Sequence, residues 1–156
     1  ATTIFFGLVL WIGERYGEKK QHLVDLTLVQ AIVIGIAQTL ALIPGTSRVG
    51  ITLTAALLLG LTSQAAATFS FLLSIPVIIL AGGYEVRMLI LTGSEMDPVQ
   101  MLLAMVVAFV SSLLVIHLFL KALTRIGLLP FVIYRLVLGV VLLWIFLPPY
   151  LSTLMP

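Results

Sequence analysis

The stretch ALIPGTSRVGITLTAA, residues 41–56, interrupts an otherwise nearly unbroken run of hydrocarbon side chains. Pro44 and Gly45 predict a break in a helix, because proline lacks an amide donor and glycine adopts backbone angles that other residues avoid. Arg48 follows the break while the surroundings are still apolar. An arginine at the centre of a bilayer costs roughly 2.5–3.5 kcal/mol even on the lenient insertion scale, which favours a functional reason for its presence.

The composition places the chain among membrane proteins. Of its 156 residues, 62% are hydrophobic and 9% are charged, whereas a soluble domain carries about 25% charged residues. The formal net charge of +2 is too small for a nucleic-acid surface, and the absence of cysteine excludes disulfides and thiolate metal sites. We therefore expect one all-α, multi-pass membrane domain over residues 1–156 and no nucleic-acid partner.

The apolar runs on either side of the break are short. Residues 26–43 and 50–61 each hold about 12–18 apolar residues, whereas a helix that spans a bilayer needs ~20. Together they predict a re-entrant hairpin over residues 26–61 that enters the membrane, turns at the break and returns to its starting side. Thr27 and Asp25 are both candidates for the residue that caps the first helix.

The rest of the chain divides into a helix end, a loop and three longer apolar segments. Residues 1–12 are too short to span and predict the end of a helix that begins upstream. Residues 13–25 are polar and predict a loop. Transmembrane helices are expected at about 64–91, 98–120 and 129–147, with two prolines ending the last one.

The distribution of basic residues predicts the orientation in the membrane. Segments 13–25 and 121–127 carry lysine and arginine, while segment 92–98 carries neither. The positive-inside rule therefore places the first two segments in the cytoplasm and the third outside.

The break has the residues of an anion site. A helix that begins near Ser47 directs its free amides and its positive dipole end at the break, where anions bind. The planar guanidinium of Arg48 suits phosphate oxygens. The hydroxyls of Thr46, Ser47 and Thr52 add donors, and Gly45 permits close approach of a ligand. A kinked helix pair whose arginine extends to the membrane interface is the structural alternative.

The motif PGTSRVGIT, residues 44–52, resembles the PG-x-SR-S-x-x-T motif of the undecaprenyl-diphosphate phosphatase family, the bacitracin-resistance membrane phosphatases. AQTLALIPGTSRVG (37–50), FSFLLSIPVI (69–78) and LPFVIYRLVLG (129–139) resemble the second half of that family in the same order. The resemblance implies hydrolysis of undecaprenyl diphosphate in the bacterial inner membrane, which recycles the lipid carrier for peptidoglycan synthesis. It also implies a fold of two inverted repeats, of which this chain is the C-terminal one.

The same resemblance implies roles for individual residues. Arg48 would clamp the diphosphate and, with Ser47, act in catalysis. Gly45, Thr46 and Thr52 would join these two in binding phosphate. The family's motif of two glutamates, followed by a turn that supplies the nucleophile or an acid/base group, has no match here. The resemblance therefore places the ligands of a divalent cation, Mg²⁺ or Ca²⁺, in an N-terminal repeat. That repeat, the polyprenyl diphosphate substrate and the bilayer are the expected partners, and no metal ligands are expected in this chain.

The sequence does not assign a single role to several polar residues, and it departs from the family motif at one position. Val49 replaces the second serine of the family motif. Glu14 and Glu18 have E-x-x-x-E spacing, but their lysine-flanked polar setting favours a solvated charge run. Arg135 suits equally a second phosphate contact and a side chain that extends to the interface. A transporter or lipid flippase is the alternative function, because broken helices that point at anionic substrates are also a transporter design.

Overall fold

A computed structural model describes residues 2–92 and 97–154 of the chain, with side chains as far as residue 145. The described residues form α-helices and two short 3-10 turns, Leu23–Asp25 and Gln38–Leu42, and contain no strand. The helices are α1 (Thr2–Tyr16), α2 (Leu28–Ala37), α3 (Arg48–Leu58), α4 (Ser63–Thr92), α5 (Pro98–Ile126) and α6 (Leu129–Leu154). The all-helical prediction is confirmed.

Two of the helices, α4 and α5, are long and apolar enough to cross a membrane. The described part of α5 exposes large apolar side chains all around, among them Leu102, Val110 and Leu114. A contiguous apolar surface of this extent is untypical of a soluble monomer. The two helices therefore fit the membrane protein that the composition predicts.

The segment from α2 to α3 is a hairpin whose two ends lie together. Thr27 directly precedes α2 and caps it. Its hydroxyl accepts a hydrogen bond from the Gln30 amide (3.3 Å), and the Gln30 side chain accepts one from the Thr27 amide (3.0 Å). The Gln30 side chain also donates to the carbonyl of Leu59, directly after α3 (3.2 Å). The capping prediction for Thr27 is confirmed, and the start of α2 lies beside the end of α3.

The tip of this hairpin is the predicted break. α2 tightens into the 3-10 turn Gln38–Leu42, and the chain turns at Pro44 and Gly45. Gly45 has a φ of +89°, which glycine adopts without the steric cost that a side chain brings. α3 then begins after Ser47, whose hydroxyl accepts a hydrogen bond from the Gly50 amide (3.1 Å). The predicted helix start near Ser47 is confirmed.

The first helix, α1, packs against both α3 and α6. A Cβ atom built on Gly13 would lie 3.3 Å from Cγ2 of Thr54 in α3, and one built on Gly7 would lie 3.6 Å from Cβ of Arg135 in α6. Small residues of this kind allow two helix backbones to approach closely. α1 is therefore the element that both the hairpin and the last helix contact.

Three connections lie at one end of the helices. The amides of Lys20 and Gln21 both donate to the carbonyl of Gly60 (3.0 Å), so the loop after α1 touches the turn between α3 and α4. The amide of Leu128, between α5 and α6, donates to the carboxylate of Glu14 near the end of α1 (2.8 Å). These contacts place the two basic segments at the same end of the helices, and their predicted cytoplasmic location stays a prediction.

Two helices continue past their predicted ends. α1 runs beyond the predicted limit of residue 12 to Tyr16, and α5 runs beyond residue 120 to Ile126. The predicted turn 121–127 is therefore helical up to Gly127, which has a φ of +69°. The predicted ends followed the last apolar residue, but glutamate, lysine and arginine are good helix formers, so a helix need not end where its apolar run does.

The last helix also differs from its prediction. α6 continues beyond residue 147 through Pro148 and Pro149 to Leu154. A proline removes one helical hydrogen bond and bends the axis, and membrane helices tolerate it more readily than soluble ones do. Most of the predicted turn 92–98 lies outside the described residues. Asp97 caps α5 by accepting from the Val99 amide (2.9 Å).

Candidate functional site

The start of α3 presents unpaired amides at the break. Ser47 accepts hydrogen bonds from Gly50 with its hydroxyl and from Ile51 with its carbonyl (2.9 Å). The amides of Arg48 and Val49 have no hydrogen-bond partner in the described part of the chain. Unpaired amides and the positive end of the helix dipole attract an anion, and phosphate fits this arrangement.

Arg48 lies on one side of this helix start. Its side chain lines a cavity of about 220 Å³ that is also lined by Gly35 and Gln38 of the first hairpin segment and by Val77 of α4. The Gln38 side-chain oxygen is buried and has no partner among the described residues. The cavity is therefore lined by the positively charged Arg48 and by the Gln38 side chain, whose amide oxygen lacks a hydrogen bond among the described residues.

Arg135 lies on the other side of the helix start. A Cβ atom built on Gly50 would come within 2.7 Å of the Arg135 Nη1 atom, so the guanidinium sits directly over the glycine. Ser47, Gly50 and Arg135 form the polar end of a cavity of about 330 Å³ whose remaining lining is mainly apolar. Of the two roles left open for Arg135, this position favours contact with a ligand at the turn.

The wall of the larger cavity is aromatic. Phe71, Phe119 and Phe131 come from three different helices, and their rings pack with centroid distances of 5.6 Å and 4.7 Å along the series. A cavity with one charged end and an apolar wall suits an amphipathic ligand, since each part of the ligand meets a matching surface.

The structure keeps most of the predicted phosphate-binding residues together at the turn. Gly45 has its left-handed backbone, and the Thr46 hydroxyl is buried with no partner among the described residues. Ser47 and Arg48 face different cavities on either side of the helix start. Thr52 is fully buried, and its hydroxyl donates to the carbonyl of Arg48 (3.0 Å).

Two residues that the sequence did not suggest hold the turn in place. The hydroxyl of Thr2 donates to the carbonyl of Pro44 (2.8 Å), and that of Thr3 donates to the carbonyl of Gly45 (3.4 Å). A Cβ atom on Gly45 would collide with the Thr2 hydroxyl, so the turn needs glycine for its contacts as well as for its φ. These residues lie 42 positions from the turn, and no local pattern marks them.

The expectation of a solvated charge run is wrong for Glu14 and fits Glu18. Glu14 is partly buried, with one oxygen bonded to the Leu128 amide and the other buried without a partner among the described residues. Glu18 pairs with Lys20 at 3.3 Å, and both side chains are about three-quarters exposed (74% and 78%). An exposed pair of this kind contributes little to stability.

Within residues 2–92 and 97–154, no three histidine, cysteine, aspartate or glutamate side chains come together as a metal site would require. The residues present therefore do not fit a divalent cation by themselves. They offer donors and positive charge, which are the groups that bind an anion.

Comparison with known proteins agrees with the resemblance in the motif. The family described as bacitracin resistance protein BacA matches residues 1–141. The undecaprenyl-diphosphatase of Alteromonas mediterranea is 56% identical over 143 residues, which are 92% of this chain and 54% of that protein. That of Chromohalobacter salexigens is 55% identical over 145 residues, 92% of this chain and 55% of that protein. The chain thus spans about half the length of these relatives, and it belongs to the BacA family of bacitracin resistance proteins.

Proposed function

We propose that this chain forms the phosphate-binding half of a membrane undecaprenyl-diphosphatase. The observation that carries the proposal is the start of α3, where the free amides of Arg48 and Val49 are flanked by the guanidinium groups of Arg48 and Arg135. The names of the relatives support the substrate, and the apolar wall beside the charged end of the larger cavity suits a lipid diphosphate. We assign the activity to a longer protein, because this chain spans about half the length of these relatives.

The proposed reaction is hydrolysis of the phosphoanhydride. Water attacks the terminal phosphorus and loses a proton to a base that we place outside this chain. The bond from that phosphorus to the bridging oxygen breaks, and the bridging oxygen leaves with its electron pair on undecaprenyl phosphate. Catalysis of such a transfer is mostly positioning and stabilisation of negative charge. Arg48 and Arg135 would hold the non-bridging oxygens from two sides. The Ser47 hydroxyl can donate to phosphate while it accepts from Gly50, because a hydroxyl does both.

The remaining groups are proposed to come from outside this chain. The described carboxylates do not gather at the turn, so a divalent cation, Mg²⁺ or Ca²⁺, would need ligands in an N-terminal repeat. When bound, such an ion would neutralise charge on the diphosphate. The donors of this chain then fix the orientation of the terminal phosphoryl group.

The proposed arrangement in the bacterial inner membrane follows from helix length. α3 has 11 residues and is about 16 Å long at ~1.5 Å per residue, which is about half of a ~30 Å hydrocarbon core. We therefore propose that the hairpin re-enters the membrane from the cytoplasmic side and that α4, α5 and α6 cross it. Non-helical backbone at that depth needs protein or a water-filled cavity around it, and the two cavities beside the turn supply such surroundings.

The test is phosphate release from undecaprenyl diphosphate by the purified full-length protein. Arg48→Ala is expected to lower kcat/KM by roughly a hundredfold or more, the scale of losing a charge-stabilising donor. Arg48→Lys should recover little, because a point charge cannot make a bidentate contact. Arg125→Ala, which removes an exposed arginine at the end of α5, is the matched control and should behave as wild type.

Two results would contradict the proposal. Near-normal turnover by the Arg48→Ala protein would show that Arg48 does not hold the substrate phosphate during hydrolysis. A wild-type protein that moves the lipid across vesicles without releasing phosphate would instead favour the transporter or flippase.

A further inference from the structure

The carboxylate of Glu14 joins two helices that are far apart in sequence. Its Oε1 atom accepts a hydrogen bond from the Leu128 amide, across a separation of 114 residues. Its Oε2 atom is buried and has no partner among the described residues. Removing a carboxylate from water is costly unless its interactions compensate. The contact with Leu128 is the compensating interaction in the described part of the chain.

The hydrogen bond from Leu128 to Glu14 lies at the N-terminal end of α6, where a negative charge stabilises the helix. Leu128 directly precedes α6, so the carboxylate sits at the positive end of that helix dipole. The preceding residue, Gly127, has a φ of +69°, and a Cβ atom there would approach Glu14 Oε1 to 3.2 Å. The turn between α5 and α6 is therefore shaped to receive this side chain.

Helices α1 and α6 also surround Arg135, whose guanidinium lies at the candidate site. Along the pair, Gly7 of α1 faces the base of the Arg135 side chain, and Gly139 of α6 receives Ile4. Arg135 is seven residues from Leu128, about 10 Å along the helix at ~1.5 Å per residue. The start of α6 and the guanidinium that lies over Gly50 therefore belong to one short stretch of the same helix.

We propose that Glu14 is a positioning residue. Its carboxylate fixes the start of α6 against the end of α1 and thereby holds the Arg135 guanidinium over the turn from Ser47 to Gly50. The consequence for catalysis rests on the proposed function, in which Arg135 contacts the substrate phosphate. The positioning itself does not depend on that function, and the two can be tested separately.

The catalytic test compares the two glutamates of the E-x-x-x-E spacing in the full-length protein. Glu14→Ala is expected to lower kcat/KM for undecaprenyl diphosphate roughly tenfold or more, since displacements near 1 Å can cost up to a hundredfold. Glu14→Gln keeps an oxygen that accepts from Leu128 and should stay within about threefold of wild type, because one good acceptor preserves the contact. Glu18→Ala, which removes the exposed glutamate, is the matched control and should be unchanged.

A double variant separates positioning from a general structural role. Because Glu14 acts through Arg135, adding Glu14→Ala to Arg135→Ala should lower kcat/KM by less than about twofold further, since effects that share a pathway do not add. The full loss recurring in the Arg135→Ala background would overturn the inference. A Glu14→Gln protein as impaired as Glu14→Ala would also overturn it, since the hydrogen bond would then not be what matters.

The positioning is also measurable without activity. A Cβ atom on Gly7 lies 3.6 Å from Cβ of Arg135, and disulfides join Cβ atoms about 3.5–4.5 Å apart. In a full-length protein stripped of other cysteines, Gly7→Cys with Arg135→Cys should form a disulfide under mild oxidation, scored by maleimide gel shift. Glu14→Ala should slow this crosslinking, as should Glu14→Asp if the alanine protein does not accumulate. Glu18→Ala should leave it unchanged.

The two assays distinguish the two claims. Crosslinking that is unaffected by shortening Glu14 overturns the positioning role. Crosslinking that slows as expected, in a protein whose wild type releases no phosphate, supports the positioning role and contradicts the proposed function.

Discussion

Gly50→Ala tests the close approach between the turn and Arg135 without removing any charge. The new Cβ atom would lie 2.7 Å from Arg135 Nη1, whereas ordinary contact begins near 3.4 Å, so the guanidinium must move by about 0.7 Å. The moving atom is the end of a flexible side chain, and the Ser47 Cβ atom at 3.2 Å need give only slightly. Alanine also favours the helix by about 1 kcal/mol over glycine. The free energy of unfolding should therefore change by less than about 1 kcal/mol.

Activity should respond much more strongly than stability to this substitution. A displacement near 1 Å at a phosphate contact can cost up to a hundredfold, so we expect kcat/KM to fall roughly ten- to a hundredfold. The assay is phosphate release by the full-length protein, with thermal unfolding measured on the same sample. Gly82→Ala is the matched control, because Gly82 is also inside a helix and has nothing within 4 Å of its Cβ position. Equal activity of the two alanine variants would refute the placement of Arg135 at the substrate.

Four further outcomes are expected. Ser47→Ala removes the cap of α3 and should lower the melting temperature by the equivalent of about 1 kcal/mol, while Ser47→Asn should preserve it. Gly45→Ala should cost at least about 1–2 kcal/mol in the same measurement, because its φ of +89° strains any side chain. A cysteine replacing Thr46, whose hydroxyl is buried, should react slowly with a bulky impermeant thiol reagent, whereas cysteines replacing His22 and Ser63 should react from one side. Rapid labelling at 46 from the opposite side would show two full crossings. The 156-residue chain alone should release no phosphate, and co-expression with an N-terminal repeat should restore release; turnover by the chain alone would place all the catalytic groups within it.

The parts of the fold that local chemistry determines were predictable from the sequence. The hydroxyls of Thr27 and Ser47 cap the helices that follow them, and each bonds to an amide three residues ahead. The φ of Gly45 follows from its place after Pro44 in a broken helix. Interactions of this range depend on a few adjacent residues, so residue type and spacing are sufficient to predict them.

The parts that depend on packing were not predictable in the same way. The polar neighbours of Glu14 suggest solvent, but the turn before α6 covers it with an amide from 114 residues away. The role of Arg135 could not be assigned from the sequence, because its neighbours come from α1 and α3 rather than from its own helix. Thr52 matches a family motif position, yet the rotation of α3 turns it inward, where its hydroxyl bonds to the Arg48 carbonyl. A motif gives the order of residues, whereas the face that each presents depends on what the helix packs against.

The candidate site is held together by α1 more than by the motif that first marks it. At its start, Thr2 fixes the carbonyl of Pro44, and near its end, Glu14 fixes the amide of Leu128. These residues are about 18 Å apart on one helix at ~1.5 Å per residue. The hairpin tip and α6 are thus attached to opposite ends of one rigid element, which sets the distance between the α3 amides and the guanidinium of Arg135. We expect a hairpin with the same motif but without α1 to keep the free amides at the start of α3 and to lose the Arg135 guanidinium that faces them.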